Sequence, residues 1–305
     1  MRVKILGSAA GGGFPQWNCS CHNCAGLRAG TLKSSPRTQT QVIFSADGSS
    51  WYLLNASPDL REQITHSPEL APKGHPRGTP IAGIILTCAD VDCVAGLLHL
   101  REFQPFTVFS MPSVRRVLTE ENSLFRTLER SHPPVRWESL AFDAPLSLLG
   151  GRKPIRCTAV ALHGEYPDYV GETLRQSLPP EEAVIGILLT AEGKKLFYAP
   201  TLSGHSGPWK ECVAASDLAL LDGTFWSDDE LLSIEGAGKT ARQMGHLPLG
   251  GTGGLLQELT GDCRGRRVLV HLNNTNPILD EESIANRAVR EAGWEVAYDG
   301  MEFML

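Results

Sequence analysis

The stretch at residues 84–98 constrains this chain more than any other part of the sequence. Its apolar run, Ile84-Ile85-Leu86, has the length and composition of a buried β-strand, and the pattern C-x-D-x-D-C follows at once, at residues 88–93. An acidic turn between a buried strand and a helix is where α/β proteins often place their chemistry. The same pattern also fits a plain strand-to-helix connection in which Asp90 or Asp92 is a solvated cap.

Apolar periodicity elsewhere predicts an α/β chain. Residues 41–46 and 51–55 flank Asp47-Gly48 and predict a β-hairpin. Further strands are predicted at 155–162, 183–189, 195–200, 218–221 and 268–270, and helices at about 91–101 and 280–292. No linker clearly splits the sequence, so we expect one domain over residues 1–305.

Several predicted strands end in a residue able to bind a metal ion. His163, Asp222 and His271 each follow such a strand. Taken singly, each has a structural interpretation, because an Asp at a strand end is commonly a turn residue and a strand-end His is often hydrogen-bonded within the core. Their order along the chain, after the acidic block at residues 88–93, indicates a shared site.

Three cysteines within six residues, Cys19, Cys21 and Cys24, predict a structural zinc site in a loop at about residues 14–25. The spacing C-x-C-x-x-C lets three thiolates converge on one ion, and soft sulfur ligands favour zinc. Tetrahedral zinc needs a fourth ligand. His22 lies inside the motif, where the chain would be strained in reaching the same ion, so a histidine from elsewhere in the fold is expected.

Composition and charge limit the kind of partner. The 305 residues carry a formal net charge of −6, which offers no basic surface for nucleic acid. The sequence contains no run of about 18 apolar residues, so no membrane span is predicted. Glycines interrupt the apolar N-terminal segment too early for a secretion signal, and the expected location is therefore the cytoplasm, where the eight cysteines would stay reduced. A small molecule or a peptide is the expected ligand.

The order of these residue types resembles the layout of the metallo-β-lactamase superfamily. The superfamily pattern H-x-H-x-D-H aligns with residues 88–93, and a His, an Asp-Gly-Thr and a late His follow. Within the superfamily, the chain is similar to the PqqB family of pyrroloquinoline quinone biosynthesis proteins. The similar segments lie along nearly the whole chain: Gly7–Gly13, Pro15–Cys19, Asn55–Asp59, Gly96–Leu98, Leu100–Glu102, Asp222–Thr224, Met244–His246 and His271–Pro277. The resemblance implies an α/β fold, an αββα sandwich of two mixed β-sheets flanked by helices.

The resemblance also implies iron-dependent oxygenase chemistry. PqqB-like proteins are associated with hydroxylation of the tyrosine ring of a Glu-Tyr unit derived from the PqqA peptide, which consumes dioxygen. The implied active-site metal ligands are Asp90, Asp92, Cys93, His163, Asp222 and His271. His246 resembles an acid/base histidine of the superfamily. The polar loop at residues 164–182, with Tyr166, Tyr169 and Arg175, is expected to face the substrate.

Two positions depart from the family pattern. Family members usually have Asn and His where this chain has Cys88 and Cys93. Oxygen ligands at Asp90 and Asp92 favour Fe²⁺, whereas a thiolate at Cys93 would shift the preference toward Zn²⁺. Two alternatives to the oxygenase therefore stay open. One is a dinuclear metallohydrolase that activates water, and the other is a non-catalytic carrier of the cofactor or its precursor that binds only the structural zinc.

Overall fold

Two stacked β-sheets position the candidate ligands. The computed structural model describes residues 1–72, 77–102, 104–130, 134–149, 151, 153–204, 206–259 and 264–305. Within these residues the strands are β1 (Arg2–Gly7), β2 (Gln41–Ser45), β3 (Trp51–Leu54), β4 (Ile81–Ile85), β5 (Thr107–Ser110), β6 (Arg136–Ser139), β7 (Leu146–Leu148), β8 (Ile155–Ala161), β9 (Ile185–Ala191), β10 (Lys194–Ala199), β11 (Leu218–Asp222), β12 (Arg266–Val270), β13 (Glu295–Val296) and β14 (Glu302–Met304).

Both sheets are mixed, and each contains seven of these strands. The strand order is β14-β1-β2-β3-β4-β5-β6 in the first sheet and β13-β12-β11-β10-β9-β8-β7 in the second. Pairing is parallel from β3 to β6 and from β10 to β13, and antiparallel in the rest of each sheet. Because parallel strands end at the same edge, the residues that follow β3, β4, β11 and β12 are brought to the edges of the two sheets where ligand sites form in α/β proteins.

Helices flank the sheets, so the expected αββα architecture is confirmed. The α-helices of the described residues are α1 (His22–Ala29), α2 (Leu60–Thr65), α3 (Val91–Val94), α4 (Pro112–Thr119), α5 (Glu172–Ser177), α6 (Trp209–Ala215), α7 (Glu230–Glu235), α8 (Leu255–Glu258) and α9 (Ile284–Glu291). Short 3₁₀-helices lie at Pro68–Leu70, Ala95–Leu100, Ser123–Arg130, Pro180–Glu182, Arg242–Met244 and Pro277–Leu279. Among the described residues, no helix combines the length and the hydropathy needed to cross a membrane.

Burial explains the composition of the central strands. Every residue of β11 is buried, including Asp222 at its end, and the strand reads almost wholly apolar because neighbouring strands and both packing layers surround it. The predicted hairpin is confirmed, since β2 and β3 pair antiparallel. A single hydrophobic cluster includes side chains of both sheets, among them Phe44 and Phe197.

The segment after β4 contains less α-helix than the sequence predicts. α3 ends at Val94, and the chain continues as a 3₁₀-helix. Gly96 explains the tight packing here: its N–H donates to the Ala56 carbonyl at 2.9 Å, and a Cβ atom at this position would lie 2.2 Å from the Ser57 carbonyl oxygen. This close approach fixes the acidic block against the turn that follows β3.

Candidate active site

Asp222, at the end of β11, is the hydrogen-bonding centre of the site. One carboxylate oxygen accepts from the N–H of Leu202 and lies 2.8 Å from Nδ1 of His246, and the other accepts from the N–H of Thr224 at 3.0 Å and from its hydroxyl at 2.6 Å. The side chain is fully buried, so each of these bonds is formed away from water. The carboxylate therefore orients its neighbours, and it would have to release a donor in order to bind a metal directly.

Thr224 fixes which nitrogen of His271 is available to a metal. Its single hydroxyl hydrogen is donated to Asp222, so the Thr224 oxygen must accept from Nδ1 of His271, which lies 2.8 Å away. Nε2 of His271 then points to Asp92, 2.9 Å from a carboxylate oxygen. A second partner that holds the far nitrogen is the usual support for a metal-binding histidine. His246 is arranged in the same way, since donation from Nδ1 to Asp222 leaves Nε2 as an acceptor.

The site brings together two carboxylates and two imidazoles, which form the imidazole–carboxylate group: Asp92, Asp222, His246 and His271. Ligand atoms of Asp222, His246 and His271 all lie within 4.8 Å of one another, and the rings of the two histidines stack with centroids 5.4 Å apart. Asp92 joins this group through its contact with His271, and Asp90 lies on the same cavity wall. Imidazole and carboxylate are donor types that hold non-haem Fe²⁺ in oxygenases, and Zn²⁺ accepts them as well.

Burial and the interactions between charged side chains shift the pKa values of this group. Burial alone would raise the pKa of Asp92, but the hydrogen bond and charge of His271 hold that pKa below its ordinary value. Burial alone would lower the pKa of His271, and Asp92 and Asp222 raise it instead. The pKa of Asp90 is raised, chiefly by burial and by the charge of Asp92. The metal-free site therefore retains a proton on His271 that a metal ion must displace.

We expect metal binding at this site to strengthen as pH rises. The pKa of His271 lies above the ordinary value of 6.5, so below that pKa one proton competes with the metal and the apparent affinity falls by about tenfold per pH unit. Calorimetric titration of Zn²⁺ into protein whose thiol cluster is already filled, between about pH 5.5 and pH 8, measures this slope. A flat affinity across that range would contradict the assignment of His271 as a ligand.

Two predicted ligands lie apart from this group. His163 follows β8 and lines the same cavity, but its ring is exposed and belongs to no cluster of ligand atoms among the described residues. The Cys93 thiol is buried beside Asn55, whose amide Nδ2 lies 3.3 Å from the sulfur. Neither side chain is needed to complete the imidazole–carboxylate group.

Strained backbone marks the strand ends around the site. Asn55, His163 and His271 have φ values of 65°, 54° and 59°, a left-handed conformation that non-glycine residues adopt infrequently and that clusters at functional sites. Sequence reasoning assigned no role to Asn55 or Thr224. Both lie inside segments that resemble the PqqB family, and this resemblance could have identified them as candidate site residues.

A cavity of about 1020 Å³ opens over the site. Asp90, Asp92, His246 and His271 line one part of it, and Lys239 and Arg242 are among the lining residues contributed by the segment before His246. This volume leaves room for a ligand of dipeptide size.

The loop at residues 164–182 borders the cavity, but its two tyrosines and Arg175 donate to backbone carbonyl oxygens. The Tyr166 hydroxyl donates to the Pro179 carbonyl at 2.6 Å, and the Tyr169 hydroxyl donates to the Ala89 carbonyl. Arg175 donates to carbonyl oxygens of its own loop, including that of Val170 at 3.1 Å. Of the three residues expected to face the substrate, Tyr166 alone lines the cavity.

The thiol cluster lies next to the loop that carries His271. The sulfurs of Cys19, Cys21 and Cys24 lie within 4.8 Å of one another, as the motif predicts. Among the described residues, no histidine joins them, and His22 is exposed. The side-chain amide of Asn274 occupies the remaining side, with Nδ2 3.1, 3.6 and 3.4 Å from the three sulfurs. The expected histidine is thus replaced by an amide, whose oxygen and nitrogen positions are interchangeable by rotation.

Comparisons with known proteins identify the family of the chain. The family model described as "Beta-lactamase superfamily domain" matches residues 50–272. The chain is 41% identical to "Coenzyme PQQ synthesis protein B" of Azotobacter vinelandii and 42% identical to the protein of that name from Pseudomonas paraeruginosa, in both cases over the full length of both chains. The crystal structure of Zn²⁺-bound PqqB from Methylobacterium extorquens superposes with a TM-score of 0.92 at 38% identity, and each chain is covered completely.

Proposed function

Because the chain belongs to the PqqB family of the metallo-β-lactamase superfamily, we propose that it acts in pyrroloquinoline quinone biosynthesis, as an iron-dependent oxygenase. Its substrate in this proposal is a Glu-Tyr unit derived from the PqqA peptide, whose tyrosine ring is hydroxylated with dioxygen. The observation that carries the proposal is a cavity with room for a dipeptide that is lined by imidazoles and carboxylates. A donor set of imidazoles and carboxylates suits Fe²⁺.

The residues present fit such a metal. Asp92 and His271, already in contact, would hold it, with Asp90 beside them. When bound, Fe²⁺ supplies the activation of dioxygen that no side chain provides. Zn²⁺ fits the second cluster, where Cys19, Cys21 and Cys24 would be joined by Oδ1 of Asn274 after rotation of its amide.

The protein's own contribution is to bind the substrate and to move a proton. Lys239 and Arg242 are cationic groups of the cavity lining that suit the carboxylates of Glu-Tyr. His246, held by Asp222 through Nδ1, has Nε2 free to accept the proton that the ring loses on hydroxylation. The seven described cysteines are unpaired, which suits a reducing compartment, so we place the reaction in the cytoplasm.

The direct test is aerobic incubation of the iron-loaded protein with Glu-Tyr and ascorbate, followed by mass spectrometry. We expect the dipeptide to gain one oxygen atom. The His246→Gln variant is expected to keep its iron and to lose about 10²–10⁴ in rate, because the side-chain size is similar but the proton acceptor is absent. His99→Gln, which changes an exposed histidine outside the cavity lining, is the matched control and should match the wild-type rate.

Two results would exclude this function. Cleavage of an ester or phosphodiester by protein with two zinc ions in the imidazole–carboxylate group would identify a hydrolase. Metal restricted to the thiol cluster, with unmodified Glu-Tyr, would identify a carrier. Metal analysis of each preparation before the assay separates these results from simple loss of iron.

A further inference from the structure

Asn273 places a side-chain amide on the wall of the cavity, beside the candidate metal ligands. It follows His271 by two residues, is half-buried and lines the cavity. Its backbone N–H donates to the Thr224 carbonyl at 3.1 Å, and the Thr224 side chain supports Nδ1 of His271. The amide therefore lies next to the imidazole–carboxylate group, and it takes no part in the proposed proton transfer.

A chain of hydrogen bonds holds this amide from behind. The Glu230 carboxylate accepts from the Thr275 hydroxyl at 2.5 Å with one oxygen and from the N–H of Trp226 at 2.7 Å with the other. Thr275 has a single hydroxyl hydrogen, so its oxygen must accept from Nδ2 of Asn273, which lies 2.5 Å away. Glu230 and Thr275 are both buried, so water does not compete for these bonds.

The direction of the amide follows from this chain. Burial raises the pKa of Glu230 to about 7, so at about pH 8 the side chain is mostly a carboxylate, which can only accept. With Nδ2 of Asn273 held by Thr275, the nitrogen and oxygen positions of the amide are no longer interchangeable. Thr275 is not a lining residue, so Oδ1 of Asn273 is the amide atom left to the cavity. Among the described residues, no donor contacts this oxygen.

A fixed carbonyl oxygen selects a ligand that carries a hydrogen-bond donor. The substrate of the proposed function offers a phenol hydroxyl and an ammonium group. The hydroxyl is attached to the ring that reacts, so it must lie near the metal ligands, where Asn273 is found. The ammonium group belongs to the glutamate residue, whose carboxylates suit Lys239 and Arg242. The phenol hydroxyl is therefore the better match for the Asn273 oxygen.

We infer that Asn273 is a substrate-binding residue whose Oδ1 accepts a hydrogen bond from the phenol hydroxyl of the substrate, with Thr275 and Glu230 as its positioning residues. The inference rests on the proposed function. The site then selects a phenol over an unsubstituted aromatic ring, because such a ring would cover the Asn273 oxygen without offering it a donor. The same bond fixes the rotation of the ring and so decides which ring carbon faces the metal ligands.

Binding of two dipeptides to the Zn²⁺-loaded protein tests this inference without turnover. Glu-Tyr and Glu-Phe differ only by the phenol hydroxyl, and both can be titrated calorimetrically at about pH 8 because Zn²⁺ has no redox chemistry. We expect Glu-Tyr to bind about tenfold more tightly than Glu-Phe, since the Asn273 oxygen stays unpaired in the second complex. Equal affinities of the wild-type protein for the two dipeptides would overturn the inference.

The Asn273→Leu variant is expected to reduce this preference to less than about twofold, because leucine has a similar size and no acceptor. Gln243→Leu is the matched control. Gln243 also lines the cavity, but its side-chain oxygen already accepts from the N–H of Thr240 at 2.9 Å, so the control should keep the preference for Glu-Tyr. A preference that survives in Asn273→Leu would overturn the inference. Metal analysis of each variant verifies that the imidazole–carboxylate group is filled.

Variants of Thr275 test the positioning role while Asn273 stays in place. Thr275→Val removes the hydroxyl and leaves the amide free to rotate, so we expect the preference for Glu-Tyr to fall about threefold. Thr275→Ser keeps the hydroxyl and is expected to retain the wild-type preference. A merely structural effect would weaken the binding of both dipeptides equally, and an unchanged preference in Thr275→Val would exclude the positioning role.

Binding and turnover together separate failure of the inference from failure of the proposed function. If the preference for Glu-Tyr depends on Asn273 but iron-loaded protein hydroxylates nothing, phenol recognition stands and the oxygenase function is wrong. If Glu-Tyr is hydroxylated and its binding does not depend on Asn273, the function stands and the inference is excluded. If neither dipeptide binds, the proposed substrate and the inference are both excluded.

Discussion

The Asp222→Ala variant is expected to be less stable by about 3–5 kcal/mol and to lose metal from the imidazole–carboxylate group. The carboxylate accepts four hydrogen bonds in a fully buried position, and its removal leaves the N–H groups of Leu202 and Thr224 without an acceptor. His246 loses its orienting partner, and His271 loses the indirect support that reaches it through Thr224. Thermal unfolding and metal analysis of the purified variant measure the two effects.

Asp217→Ala is the matched control for this prediction. Asp217 lies just before the same strand, β11, and its partly exposed carboxylate accepts from Lys194 and from the N–H of Lys195. Because both interactions lie near solvent, we expect a cost of only about 0.5–1 kcal/mol and full metal content. Equal destabilisation by the two variants, or wild-type metal content in Asp222→Ala, would contradict the central role assigned to Asp222.

Cys24→Ser is expected to release one equivalent of zinc and to lower the midpoint of thermal unfolding by about 5–10 °C. Cys24 is fully buried, and its sulfur lies among Cys19, Cys21 and the amide of Asn274. A serine hydroxyl is a poor substitute for a soft thiolate ligand, so the binding energy that zinc adds to the folded state is lost. Differential scanning calorimetry with metal analysis measures both quantities.

We expect the loss of zinc from the thiol cluster to affect the active site as well. Asn274 follows His271 by three residues, so a thiol cluster without zinc loosens the loop that carries a candidate active-site ligand. Cys212→Ser, which changes a partly exposed thiol of α6 outside the cluster, should keep its zinc and its unfolding temperature. Unchanged zinc content in Cys24→Ser would show that this cluster is not the zinc site.

The sequence by itself determined the features that depend on short stretches of chain. Burial makes the run before the acidic block apolar, so β4 could be predicted from residues 84–86 and its ligand block from the residues that follow. The C-x-C-x-x-C spacing brought three sulfurs together because the loop that joins them is short. The hairpin of β2 and β3 followed from its turn residues. Strand ends at Asp222 and His271 were visible for the same reason.

Only the tertiary structure decided how these distant pieces meet. Asp92 and His271 are separated by 179 positions and make contact because parallel strands of two sheets end near one another. No local pattern distinguishes His271, which joins that contact, from His163, which remains on the cavity wall. The fourth position of the thiol cluster was expected to hold a histidine and is filled by Asn274, because the loop after β12 passes over the sulfurs.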